Sequence, residues 1–239
     1  MLFPRAERWR CQLQRRHIQL YLGDQLHGQQ IWQPSIPLAE QLSRLLSPLG
    51  GRFPWLNSIG FELDAPHVRY LLVPWPQGVT TPAELRQYAR MLLAEQSGAS
   101  ANEARVSFIG AEYGANAFAA VLNDALFIEL KAIARRHRLH FRGCNTPFSR
   151  MLSIFGNRLP GDALFACIGE HEGNFAARYL GHWHSVFSLS LPPGESNRQL
   201  DIANRLAGLP PLERYVLHTQ QNMSGPVALK RDLPPTGTE

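Results

Sequence analysis

The sequence predicts a layered α/β protein, and three observations carry that expectation. Residues 59–75 (IGFELDAPHVRYLLVPW) hold two strand-like pieces, 59–63 and 68–73, parted by Asp64, Ala65 and Pro66. The second piece is nearly all apolar and β-prone, as expected of a central strand covered on both faces. Pro74 and Pro76 stop it, because proline has no N–H for a sheet ladder. A helix signal follows at once, with Thr81 as N-cap, Pro82 at the first helical position and Glu84 in the first turn. The same order of strand, stop and capped helix recurs along the rest of the chain.

At 239 residues the chain is long enough for one large domain or two small lobes, each with its own core. An apolar content of 44% against 18% charged excludes a disordered chain. The net charge of +5 comes almost entirely from arginine, Lys131 and Lys230 being the only lysines. So small an excess reads as an ordinary surface, not as a nucleic-acid footprint. Arginines cluster at Arg5, Arg8, Arg10, Arg15 and Arg16, and again at Arg135, Arg136 and Arg138. The second group sits where cations complement a helix dipole. Cys11, Cys144 and Cys167 are isolated and odd in number, so neither a disulfide framework nor a CxxC zinc site is indicated. No apolar run reaches the roughly 18 residues of a membrane span. The charged start lacks the apolar core of a secretory signal. The expected location is therefore cytoplasmic.

Taken in order, Trp9, Cys11 and Leu13 alternate with Arg8, Arg10 and Gln12, the period of a strand, placed here at a sheet edge. Ile18, Leu20 and Leu22 alternate likewise, Gly23-Asp24 turns the chain, and 29–32 returns. Leu38, Leu42, Leu45 and Leu46 recur at helical spacing until Pro48, Gly50 and Gly51. The helix from Pro82 to about Gln96 shows Leu85, Tyr88, Ala89, Leu92 and Leu93 on one face, with Arg86, Arg90 and Glu95 opposite. Strands are expected at 105–110 and 117–122. Asn123 caps a second helix carrying Leu126, Ile128, Leu130, Ile133 and Ala134. A strand at 139–143 and a short helix at 147–155 follow. Residues 157–161 (NRLPG) read as a boundary. A new meander then begins, with strands at 163–169, 174–180 and 183–191. A helix capped by Asn197, a closing strand at 214–218 and a polar, mobile tail from Gln220 complete the chain. The expected domains are 1–156, 157–219 and the tail 220–239.

A duplicated meander followed by helix and strand, with VRYLLVPW closing the first half, resembles the actin-like proteins of bacterial envelope machines. These are the cytoplasmic part of the L component of type II secretion, the M component of type IV pilus assembly, and MshI-type pilus proteins. The likeness covers most of residues 15–210. It implies a two-lobed actin-like, ribonuclease-H-like fold with mixed sheets flanked by helices. It also implies that an ATPase of this class would carry an Asp-x-Gly near the end of the first strand of each lobe, acid and glycine lying around metal and phosphate. On that alignment the first loop is Tyr21, Leu22 and Gly23 with Asp24 one step later, and the second is Cys167, Ile168 and Gly169 with Glu170 next. The glycines are in place and the aspartates are not, which implies a degenerate, non-catalytic relative that takes no cofactor. The alternative is ATP with magnesium, held by Asp24 and Glu170 as shifted acids.

Other chemistry is thin. His171 in the GEHEG turn and the pair His182 and His184 could converge on a metal, but spacing supplies no fourth ligand, and a polar turn with surface histidines accounts for them. Motifs for a P-loop, a dinucleotide fold, a zincin or a serine nucleophile are absent. Asp64 and Glu62 read as a solvated turn. Phe53, Trp55 and Trp75 are either core or, if grouped on the surface, anchors for a partner segment. The function expected is a scaffold or adaptor of a pilus or secretion inner-membrane platform. It would bind a cytoplasmic segment of a membrane-embedded partner, by strand addition or in a groove. A homodimer is compatible with the sequence.

Overall fold

The structure is a computed structural model, and it describes residues 7–49, 57–97, 103–155, 158–168, 172–190, 196–218 and 229–232. The first segment folds as β1 (Glu7–Leu13), β2 (His17–Leu22), β3 (Gln25–Ile31) and α1 (Leu38–Leu46), followed by β4 (Asn57–Leu63). Next come β5 (Val68–Val73), α2 (Pro82–Ser97), β6 (Ala104–Gly110), β7 (Ala117–Asn123), α3 (Asp124–Arg136), β8 (His140–Asn145) and α4 (Pro147–Phe155). The last third holds β9 (Ala163–Ile168), β10 (Glu172–Tyr179), β11 (His182–Ser190), α5 (Ser196–Leu206), β12 (Glu213–His218) and β13 (Leu229–Asp232).

Two five-stranded sheets share one plan, β3-β2-β1-β4-β8 and β11-β10-β9-β12-β13, and a three-stranded sheet runs β5-β7-β6. In each large sheet the first strand is antiparallel to the second and parallel to the fourth. The plans diverge at the fifth strand, since β8 is parallel to β4 while β13 is antiparallel to β12. The fold is thus mixed α/β with a duplicated sheet.

Two strand placements differ from the sequence expectation. β1 lies between β2 and β4, so it is central and not an edge. Its alternation reports one apolar face, but the second neighbour comes from residues 57–63 and leaves no local mark. β5 is an edge strand, with Arg69 exposed. The centre of the small sheet belongs to β7, buried from Ala117 to Leu122. Residues 229–232 also differ from a mobile tail, because they form β13 on β12.

Contacts divide the chain into two units. Among the described residues the first takes in 7–69 and 122–146, and the second takes in 70–121, 147–218 and 229–232. In the first unit, Cys11, Leu13, Ile18, Leu20, Ile59, Phe61 and Leu63 are buried from the sheet, and Leu42, Leu46, Leu130 and Ile133 from the helices. A Cβ on Gly28 would stand 3.1 Å from Leu45 Cδ2, so the missing side chain lets α1 close on β3. The buried Gln41 ties the start of α1 down, accepting from Gln33 N at 3.0 Å and donating to Gln33 O at 2.8 Å and Ile36 O at 2.7 Å.

In the second unit, strand alternation puts two cores on one sheet. Leu164 and Ala166 of β9 pack with Leu200 and Ala203 of α5. Ala163, Phe165 and Cys167 face Phe118, Phe148, Met151 and Trp183. A third cluster joins α2, through Leu85, Ala89 and Leu93, to the small sheet.

Candidate functional site

In open α/β sheets, ligands sit beyond the carboxyl ends of parallel strands. In the first unit those are the ends of β1 and β4, where Gln12 and Glu62 stand in register. Each is only 8% exposed. Gln12 Nε2 donates to Glu62 Oε1 at 3.0 Å, and Arg10 Nη1 donates to Glu62 Oε2 at 3.4 Å. The Arg10 guanidinium lies 4.6 Å from the Tyr21 ring centroid. Tyr21 OH donates to Gln19 Oε1 at 3.0 Å, and Gln19 Nε2 to Gln29 Oε1 at 3.1 Å. Burial holds the Tyr21 phenol above its ordinary pKa, with Arg10 opposing and Glu62 reinforcing the shift.

The turn leaving β1 is Gln14, Arg15 and Arg16, which offers neither carboxylate nor glycine. Gly23, with φ +61°, and the exposed Asp24 instead turn β2 into β3. The sequence alignment therefore stands one hairpin too late in this half. The buried acid here, Glu62, has both oxygens engaged and so is not open as a magnesium ligand. Asp64 Oδ1 accepts from the adjacent Ala65 N at 2.8 Å. Glu62 is also buried, not solvated as expected.

Gly169, Glu170, His171, Phe53 and Trp55 lie outside the described residues. His182 and His184 are both exposed on β11. The β10–β11 register shifts between Ala177 and Arg178, so that Arg178 pairs with Trp183 and Ala177 with Ser185, leaving His184 as the extra residue of a bulge. His182 Nδ1 lies 3.5 Å from Glu112 Oε2. Among the described residues no three His, Cys, Asp or Glu side chains gather as metal ligands do. Trp75 is half-buried, donating from Nε1 to Val79 O at 2.7 Å with its ring 5.1 Å from Tyr113.

A feature the sequence did not disclose is a cleft of about 460 Å³ in the second unit. One wall is the end of β6 and the turn to β7, with Glu112, Ala115 and Asn116; the other is β10 and its turn to β11, with Arg178 and His182. Trp183, Leu152 and Leu159 supply the apolar lining. A Cβ at Gly110 would come within 2.7 Å of Trp183 Nε1, so the glycine makes room for the indole. Asn116 Nδ2 donates to Trp183 O at 3.1 Å and ties the two walls together. These residues are far apart in the chain, so no local spacing announces them.

No protein-family model matches the sequence, and no curated protein matches it. Solved structures do. A Bacteroides thetaiotaomicron protein with an actin-like ATPase fold and unknown function aligns at a TM-score of 0.57 and 9% identity, over 92% of this chain and 84% of its own. The cytoplasmic domain of EpsL, an inner-membrane component of the type II secretion system of Vibrio cholerae, aligns at 0.55 and 11%, over 98% and 91%. The PilM–PilN type IV pilus biogenesis complex supplies a match at 0.50 and 16%, over 87% and 67%. The chain has an actin-like fold. The duplicated sheets are the two halves of that actin-like plan, as the resemblance implied. Among its described residues no helix is long and apolar enough to cross a membrane.

Proposed function

We propose that this protein is a non-catalytic adaptor of a pilus or secretion assembly platform, peripheral to the inner membrane and binding the cytoplasmic segment of a membrane-embedded partner. One observation carries the non-catalytic part: Gln12 and Arg10 close off Glu62 at the strand ends, beside a turn of Gln14, Arg15 and Arg16. A metal-bound triphosphate draws on open carboxylate ligands, and the buried Glu62 there spends its oxygens on Gln12 and Arg10. Support for the setting comes from the likeness to the EpsL cytoplasmic domain and to the PilM–PilN complex.

Calorimetric titration with ATP and magnesium tests the first part, and the expected trace is flat up to millimolar nucleotide. A magnesium-dependent heat that disappears in Asp24→Ala would instead establish a nucleotide switch using Asp24 and Glu170. Affinity capture from native membranes tests the second part. Recovery of a pilus or secretion inner-membrane component is expected, and recovery of none would remove that assignment.

A further inference from the structure

Arg178 on β10 is half-buried and lines the cleft of the second unit. Its Nη2 donates to Gly181 O at 2.6 Å and its Nη1 to Pro160 O at 3.4 Å, and the guanidinium lies 5.4 Å from the Trp183 ring centroid. Among the described residues no carboxylate pairs with it, and its buried Nε meets no acceptor. A guanidinium partly withdrawn from water without a counter-ion favours an incoming carboxylate, which it can also hold directionally. The lining beneath is apolar, Trp183 and Leu159 each being 7% exposed. A volume of about 460 Å³ lies toward the small end of ligand sites, room for one or two residues.

The mouth says more about the ligand. The turns that flank it each raise a large apolar side chain, Tyr113 and Leu180, both 72% exposed. Leu180 has φ +51° and Gly181 φ +81°, the primed hairpin geometry that asparagine or glycine adopts at less cost than leucine. The strain is held in place, because Leu180 N donates to Asp162 Oδ1 at 2.6 Å and Gly181 N to Gly161 O at 3.1 Å. A pinned tip bearing an exposed leucine offers a pre-ordered contact beyond the cleft itself, which a free small acid would leave uncovered. Asn116 spends Nδ2 on Trp183 O and keeps Oδ1 as an acceptor for a backbone N–H. Glu112, at the mouth beside His182, opposes a second acid.

We propose that this cleft receives the C-terminal residue of an extended peptide, its carboxylate on Arg178, its apolar side chain over Trp183 and Leu159, and its preceding residues across Tyr113 and Leu180. The proposal deepens the adaptor reading by naming what the second unit takes. It needs no pilus or secretion component for its test, so either can fail alone.

The test is calorimetric titration of the full chain with acetylated tetrapeptides ending in each apolar residue, as free acids and as amides, and with N-acetyl-leucine. At least one free-acid peptide should bind with Kd below about 1 mM, and its amide about tenfold or more weaker. Ala115→Phe fills the cleft without removing a hydrogen-bonding side chain and should abolish binding with the thermal transition retained. Arg178→Lys, which keeps the charge and loses the planar fork, should weaken the free acid towards the amide. Equal binding of acid and amide, no binding by any peptide at millimolar concentration, or wild-type binding by folded Ala115→Phe would each overturn the proposal. N-acetyl-leucine binding as tightly as the peptides would overturn its peptide part. Should Ala115→Phe fail to fold, the comparison of acid with amide on the unaltered chain decides.

Discussion

The His67 ring stands edge-on to Trp32, centroids 5.4 Å apart at 65°, and its buried Nε2 meets no acceptor among the described residues. Burial lowers its pKa, because a charged imidazole would lose its hydration there. The unfolded chain, with a histidine pKa near 6.5, therefore takes up the proton first as pH falls. The resulting stability is full above that pKa and is lost on acidification towards the folded value. His137 shifts the same way, through burial and the charge of Arg136. Thermal midpoints should fall between about pH 7 and about pH 5, across the histidine range. His67→Phe, which keeps a ring against Trp32, should flatten that slope. Equal slopes in the two proteins would show that His67 stays out of the acid transition. At this scale the sequence named the residue types but not their surroundings. Glu62, read as part of a solvated turn, is closed in by Gln12 and Arg10 from a strand fifty residues earlier, and only the pairing of β1 with β4 brings them together.

Helix ends were the most legible elements, because their chemistry is local. Thr81 Oγ1 accepts from Glu84 N at 3.2 Å, while Glu84 Oε2 accepts from Thr80 N at 2.9 Å and Thr81 N at 3.0 Å. This reciprocal cap satisfies N–H groups that the first turn of α2 leaves without partners. Those donors, Thr80 N first, hold the Glu84 carboxyl below its ordinary pKa. Thr81→Ala should cost about 1 kcal/mol in denaturant unfolding. A loss within error would mean that Glu84 alone carries the cap. Asn123 caps α3, its Oδ1 accepting from Ala125 N at 2.8 Å. The placement of strands was harder to read. Alternation at Trp9, Cys11 and Leu13 and the apolar run at 68–73 both marked strands, yet each was put on the wrong side of the centre–edge distinction. Periodicity reports which faces are covered, whereas centre or edge depends on partners distant in the chain.

On the scale of the whole molecule, β13 covers the outer edge of β12, pairing Arg214 with Asp232 through Leu217 with Leu229. Ending the chain at His218 would leave that edge bare, and bare edges recruit other strands. The shortened protein should unfold at lower temperature and show concentration-dependent light scattering. An unaltered, non-associating product would deny β13 a structural part. The sequence by itself determined the alternation of strands and capped helices and the halves that each begin with a meander, since these follow from local patterns of polarity, proline and capping; the actin-like plan was what the resemblance carried by that order implied. Tertiary structure decided which turn follows the first strand, Gln14–Arg16 and not Gly23-Asp24, because strand order within a sheet is set by long-range pairing. It likewise decided the cleft between Arg178, Asn116 and Trp183, since a concave site is made by elements that meet only when the chain has folded, where no spacing in sequence records their distance in space.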